Sequence, residues 1–248
     1  MRVSVLMTVK TVNDRMIIWL EEAIDSLVGQ TYQDFEIVLV DDASHEDLSG
    51  KVRLKDWYVK LEKSYGIANA KNVGLNFCTG DLIVVFDGDD IAYPNLLEKQ
   101  VEFMDTHPEV SACGVQLEAF HFETGEPMTL GGGFPTKHPA VIDYEIALRL
   151  GIEQKSFWWA NQPAICYRKD AVMEIGGYRE GKLQGRNVAG MEDMVMWLRM
   201  VRVGMRICNH QEVLARYRWK PSARTFDNTE YQLALKHEHA NFIMGKME

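Results

Sequence analysis

The chain has 248 residues, 46% of them hydrophobic and 25% charged, with a formal net charge of −9. That length can bury a sizeable core as one domain or two small ones, and the acidic balance opposes extended binding to a nucleic-acid backbone. The apolar runs stop well short of the ~20 residues of a membrane span, and Cys78, Cys113, Cys166 and Cys208 lack metal-binding spacing, so free thiols in a reducing, cytoplasmic setting are expected.

Val3 to Val9 is rich in β-formers and predicts a first strand; no signal-peptide h-region precedes it. Asn13 and Asp14 offer the cap of a helix to about Val28, with Ile17, Leu20, Ile24, Leu27 and Val28 expected on one core-facing side. Glu36 to Val40 is a second strand, so strand, helix and strand form a βαβ unit and the sheet starts parallel. Trp57 to Leu61 predicts a third strand, Ile67 to Phe77 a helix, and Leu82 to Phe86 a strand buried on both faces. Pro94 starts a helix that His107-Pro108 stops. Past Val110 the alternation changes. Val110 to Phe122 predicts a long strand, Glu123 to Pro139 a loop, and Trp158 to Tyr167 an apolar stretch. A short helix follows from Asp170 to Ile175, then one opened by Glu192-Asp193 and running to Val203. Met205 to Cys208 and Val213 to Trp219 predict two closing strands, and Thr229 to Met244 a surface helix. No linker interrupts the chain. It is expected to be one α/β domain, with a nucleotide-binding half over about 1–109, an acceptor-side mixed region over about 110–220 and a helical tail over about 221–248.

The buried run Leu82 to Phe86 delivers Asp87, Asp89 and Asp90 at its carboxyl end, where open α/β sheets bind ligands. Three crowded carboxylates suit either a divalent cation or a solvated acidic turn. Asp41-Asp42 end a neighbouring parallel strand and therefore reach the same edge, which favours the cation. Hard oxygen donors suit Mg²⁺ or Mn²⁺, which commonly bind through one or two carboxylates plus substrate phosphates. Gly176 to Lys182 matches P-loop spacing, but Leu183 stands where a Ser or Thr is needed and no strand leads into it. Trp158, Trp159 and Asn161 suit an acceptor sugar by stacking and hydrogen bonding, or equally a place in the core.

Several blocks, in order, carry a family pattern: Val3 to Thr8; Gln30-Thr31-Tyr32 with Phe35 to Ser44; Gly66 to Gly74; Phe86 to Asp90; Ile175 to Tyr178; and Glu192-Asp193 with Trp197-Leu198. Together they resemble family 2 glycosyltransferases of the GT-A fold. The resemblance implies a mostly parallel nucleotide-binding sheet flanked by helices, and inverting transfer of a sugar from a UDP- or GDP-sugar to a hydroxyl of a glycan or other acceptor. It gives Asp87 and Asp89 to the metal and donor diphosphate, with Gly88 between them. Asp42, Thr8 and Val9 fall at the nucleotide base, and Lys71 near its phosphates. Asp193 matches the general base and Glu192 its orienting partner. Lys220 stands near the place of a metal- or phosphate-binding histidine. Two other readings are a nucleotidyltransferase, for which Lys10 is the sole lysine near the first strand end, and a silent nucleotide- or sugar-binding module. Peripheral membrane contact is compatible with all three.

Overall fold

A computed structural model describes residues 1–50, 56–128, 141–143, 145–147, 160, 162–183, 186–188, 190–220 and 229–245. The first half follows the expected alternation: β1 (Val3–Val9), α1 (Asp14–Val28), β2 (Phe35–Asp41), β3 (Trp57–Lys60), α2 (Ile67–Leu75), β4 (Leu82–Val85), β5 (Ile91–Ala92) and α3 (Leu96–Thr106). The second half contributes β6 (Ala112–His121), β7 (Pro127–Met128), β8 (Val141–Ile142), β9 (Ile165–Arg168), α4 (Lys169–Glu174), β10 (Gly181–Leu183), β11 (Arg186–Val188), α5 (Glu192–Arg202), β12 (Ile207–Trp219) and α6 (Thr229–Ile243).

Among the described residues one large sheet runs in the order β3-β2-β1-β4-β9-β6-β12-β5, with β7 on β6 and β8 on β12. The strands β3, β2, β1 and β4 are parallel neighbours. β9 lies antiparallel between β4 and β6, so β6 and its parallel partner β12 run in the same sense as β4. The carboxyl ends of β1, β2, β4, β6 and β12 consequently share one edge.

The period of two along each strand sorts side chains onto two apolar layers. Val5, Met7, Ile37, Leu39 and Val84 pack against α1 and α3, whereas Leu6, Val38, Val40, Ile83 and Val85 pack against α2 and α5. All four residues of β4 are buried, as a strand covered on both faces requires. Asn13 caps α1 by accepting from the Met16 N–H at 3.1 Å.

Six details differ from the sequence-based expectation. Val28, expected on the core face of α1, is exposed because it lies at the helix end. β10 and β11 pair as an antiparallel hairpin where no strand was expected. β5, only two residues long, forms where no strand was expected and pairs with Ala215 and Arg216 of β12. Pro127–Met128 pairs with β6 inside the expected loop, and Val141–Ile142 pairs with β12 beyond it. The two closing strands are one, β12, carried through its polar middle by register shifts between Asn209, Val213 and Ala215. Such shifts let a strand absorb extra residues without ending.

Candidate active site

The acidic turn Asp87–Asp90 is held at both ends. On one side Phe86 N–H donates to the Leu6 carbonyl at 3.0 Å, continuing the β4 ladder. On the other side β5 ties the turn to β12. Gly88 is packed on the end of β1, where an added Cβ would lie 2.6 Å from Val9 Cγ1. β12 then locks the turn directly. Arg218 N–H donates to Asp90 Oδ1 at 2.7 Å and its Nε to the Asp89 carbonyl at 2.7 Å. The Arg218 guanidinium also reaches Glu22 at 2.5 Å and lies over Trp19 and Phe120. Lys220 Nζ makes an ion pair with Asp89 Oδ2.

Negative charge exceeds positive charge here. Burial is the main force pushing Asp87 up to about 6; Lys71 pulls it down, while Asp89 and Glu192 push it up. Asp90 is driven well above the ordinary carboxylate range by burial and by Asp89 and Asp87. Its Oδ2 is buried without a hydrogen-bond partner. A cation would relieve all three carboxylates, so the donor set fits Mn²⁺ or Mg²⁺. Among the described residues, the one trio with ligand atoms within 4.8 Å of one another is Asp14, His45 and Glu46 at the surface. The turn carboxylates are therefore too spread to enclose an ion alone, which suits a metal completed by diphosphate oxygens.

Across the site stands a buried ion pair. Lys71, in the middle of α2, places Nζ 2.8 Å from Glu192 Oε1, with both side chains under 5% exposed. This ammonium lies against the start of α5 and 5.0 Å from the Tyr178 ring centroid, and it feels the charge of Asp87 in the acidic turn. Burial alone would lower its pKa, yet Glu192, Asp87 and Asp193 together hold it above the ordinary lysine value. Close packing brings α2 to this position: a Cβ on Gly74 would meet Leu6 Cδ1 at 2.2 Å. The side chain of Asn72 then clamps the helix to the loop that follows α4, donating to the Tyr178 carbonyl at 2.9 Å and accepting from the Tyr178 N–H at 2.7 Å.

Asp193, next to Glu192, is 7% exposed. Burial and then the Glu192 charge push its carboxyl up to about 7, against the pull of Lys71 and of the Met194 N–H, which donates to Oδ1 at 2.7 Å. A carboxylate with that value is suited to take a proton near neutral pH.

Asp42, at the end of β2, accepts from Ser64 Oγ at 2.6 Å and from the Tyr65 N–H at 2.8 Å. Each oxygen keeps a lone pair for a ligand. Its own N–H donates to the Val9 carbonyl at 2.8 Å, which places Asp42 beside Thr8 and Val9.

Residues 8–165 match the family model described as glycosyl transferase family 2. The chain belongs to that family. An uncharacterised glycosyltransferase of Haemophilus influenzae is 32% identical over 86% of this chain and 74% of its own length. Among solved structures, Staphylococcus aureus TarS with bound UDP-GlcNAc superposes with a TM-score of 0.68 at 17% identity, covering 100% of this chain and 68% of TarS. The mannosyltransferase PcManGT of Pyrobaculum calidifontis, in complex with GDP-Man and Mn²⁺, gives 0.61 at 18% identity and covers 99% and 63%. This glycosyltransferase thus spans about two thirds of the length of those solved neighbours, whose likeness supports the GT-A fold. No helix among its described residues is long and apolar enough to cross a membrane.

In this family 2 glycosyltransferase the structure gathers Asp87, Asp89, Lys71, Glu192, Asp193 and Lys220 around one edge of the sheet, with Thr8, Val9 and Asp42 at the end of the neighbouring strands. Trp158, Trp159 and Asn161 lie outside the described residues. Arg218, which the sequence reading passed over, is the anchor of the acidic turn. Its signal was the run of basic residues at every second position, Arg216, Arg218 and Lys220, which a strand turns to one face.

Proposed function

We propose that this glycosyltransferase moves a sugar from a UDP- or GDP-sugar to an acceptor hydroxyl in one displacement, with inversion at the anomeric carbon. The observation that carries the reading is the pairing of a crowded acidic turn, Asp87–Asp90, whose Asp90 Oδ2 is buried without a partner, with a separate buried carboxyl, Asp193, at the start of α5. Asp42, Thr8 and Val9 receive the nucleotide base, and Gly88, packed on Val9, keeps the turn between Asp87 and Asp89 close to the end of β1 beside the donor. Asp89 and Asp87 would hold Mn²⁺ or Mg²⁺, which would supply Lewis-acid neutralisation of the leaving diphosphate.

The acceptor oxygen attacks the anomeric carbon as the bond from that carbon to the diphosphate oxygen breaks. Its proton passes to Asp193. One base suffices because no covalent sugar–enzyme bond is made. Glu192 is fixed by Lys71 and orients the acceptor or Asp193. The cation is also supported by its presence in PcManGT, and the donor class by the UDP-GlcNAc and GDP-Man bound to the solved neighbours.

The test is a panel of UDP- and GDP-sugars with Mn²⁺, Mg²⁺ or EDTA, scored for donor binding and hydrolysis. Metal-dependent binding of at least one donor is expected, and its complete absence would sink the reading. Asp193→Asn should keep donor affinity and lose at least about a hundredfold in transfer, the lower range for a lost general base. Unchanged transfer would remove Asp193 from that role.

A further inference from the structure

As β12 reaches the site, Arg216 is bonded to Glu118 at 3.1 Å and Arg218 is engaged by Glu22 and the Asp89 carbonyl. Lys220, the third in the series, lies on Asp89, the carboxylate assigned above to the metal. Both partners are partly open to solvent, 26% and 27% exposed. The ammonium also lies 5.4 Å from the Trp19 ring centroid. Its ion pair with Asp89 Oδ2 already makes it a counter-ion of the turn.

A lysine ammonium and a metal ion compete for this carboxylate. A protonated lysine has donors and no lone pair, so it cannot join a metal's ligand set. Two cations on one carboxylate oxygen repel strongly at contact distance. Asp89 Oδ1 remains free for a metal, but repulsion between the two cations on one carboxylate favours withdrawal of Lys220 from Oδ2 as the metal loads. Arg218 fixes the strand two residues earlier through its backbone N–H, so the departure is a swing of the flexible lysine stem. Diphosphate oxygens arriving at the metal provide the acceptors that the departing ammonium needs.

We propose that Lys220 is the resident counter-ion of Asp89, yielding it to the divalent cation when a nucleoside diphosphate arrives to receive the ammonium, so that metal and donor load together. This rests on the metal reading of Asp87 and Asp89. The spread of the turn carboxylates points the same way, since a site short of protein ligands holds a bare cation weakly.

The experiment titrates Mn²⁺ into the chain without nucleotide, following free Mn²⁺ by electron paramagnetic resonance, for wild type, Lys220→Met and Lys220→Arg. Lys220→Met should bind Mn²⁺ about tenfold more tightly, within the usual range of coupling between sites, and Lys220→Arg should stay near wild type. With Mn²⁺ saturating, UDP and GDP are titrated in turn; the one that wild type binds should bind about tenfold more weakly to Lys220→Met. Opposite signs in the two titrations separate this role from a merely structural one, because a damaged site would weaken both. If wild type binds Mn²⁺–nucleotide but Lys220→Met gains no Mn²⁺ affinity, the exchange is overturned alone. If wild type binds neither Mn²⁺–UDP nor Mn²⁺–GDP, the metal reading falls with it.

Discussion

Glu192 and Asp193 are neighbours on the same helix turn, yet their surroundings divide them. Lys71 sits 2.8 Å from Glu192, while Asp193 is pushed up to about 7 by burial and by the Glu192 charge. The pull of Lys71 on Asp193 is in the opposite direction. Replacing Lys71 with Met therefore raises the Asp193 pKa further. With Asp193 as the proposed base, which must be ionised to work, the acidic limb of kcat/KM, expected near pH 7 in wild type, moves to higher pH in Lys71→Met; Lys71→Arg restores it in part. A pH profile of kcat/KM checks this, and an unmoved limb would detach Lys71 from the base. The same shift has a stability consequence of definite sign. A carboxyl held above its unfolded value of about 4 binds its proton more tightly in the folded chain, so stability falls as pH rises from about 4 through about 7. Melting curves of Asp193→Asn across that window should have a flatter pH dependence than wild type.

At the scale of elements, α2 carries Lys71 into place because Gly74 lets the helix close onto β1 and β2. A methyl there meets Leu6 Cδ1 at 2.2 Å and Val40 Cγ2 at 2.9 Å. Gly74→Ala should cost about 1–3 kcal/mol by overpacking, lowering Tm by roughly 2–10 °C for a chain of this size. It should also weaken transfer, because the helix that moves bears Lys71. A Tm equal to wild type would mean that the helix and Leu6 adjust freely. The elements nearest this helix were also the ones legible in the sequence. β1, β2 and β4 are apolar runs covered on both faces, and the amphipathic spacing of α1 and α3 is set locally. β5 and β7 were not legible, because two-residue strands exist only through pairing with β12 and β6. β12 was read as two strands because Asn209 to Glu212 break its apolar pattern, and only the neighbouring β6 carries it through. The site divides in the same way. Its carboxylates stand in short motifs, whereas Lys71–Glu192 and Lys220–Asp89 join residues 121 and 131 positions apart, a separation that no local spacing encodes.

At the scale of the whole molecule, the sheet consists of a parallel half, β3-β2-β1-β4, and a second half on β6 and β12, with β9 reversed between them. The acidic turn follows β4 and is held by Arg218 and Lys220 at the end of β12, so the site lies on the seam between the halves. A cation with a nucleoside diphosphate would add bonds to both sides of that seam. Ligands that bind only the folded state stabilise it by mass action, about 2.7 kcal/mol at a hundredfold excess over Kd. In a chain of this size that corresponds to a Tm increase of roughly 5–10 °C. Mn²⁺ with UDP or GDP should produce the rise, EDTA should abolish it, and Mn²⁺ alone should give much less, because Lys220 already neutralises Asp89. Differential scanning fluorimetry across these mixtures decides the matter. A full rise with Mn²⁺ alone would place the dominant ion elsewhere, with the exposed Asp14, His45 and Glu46 group the first place to look.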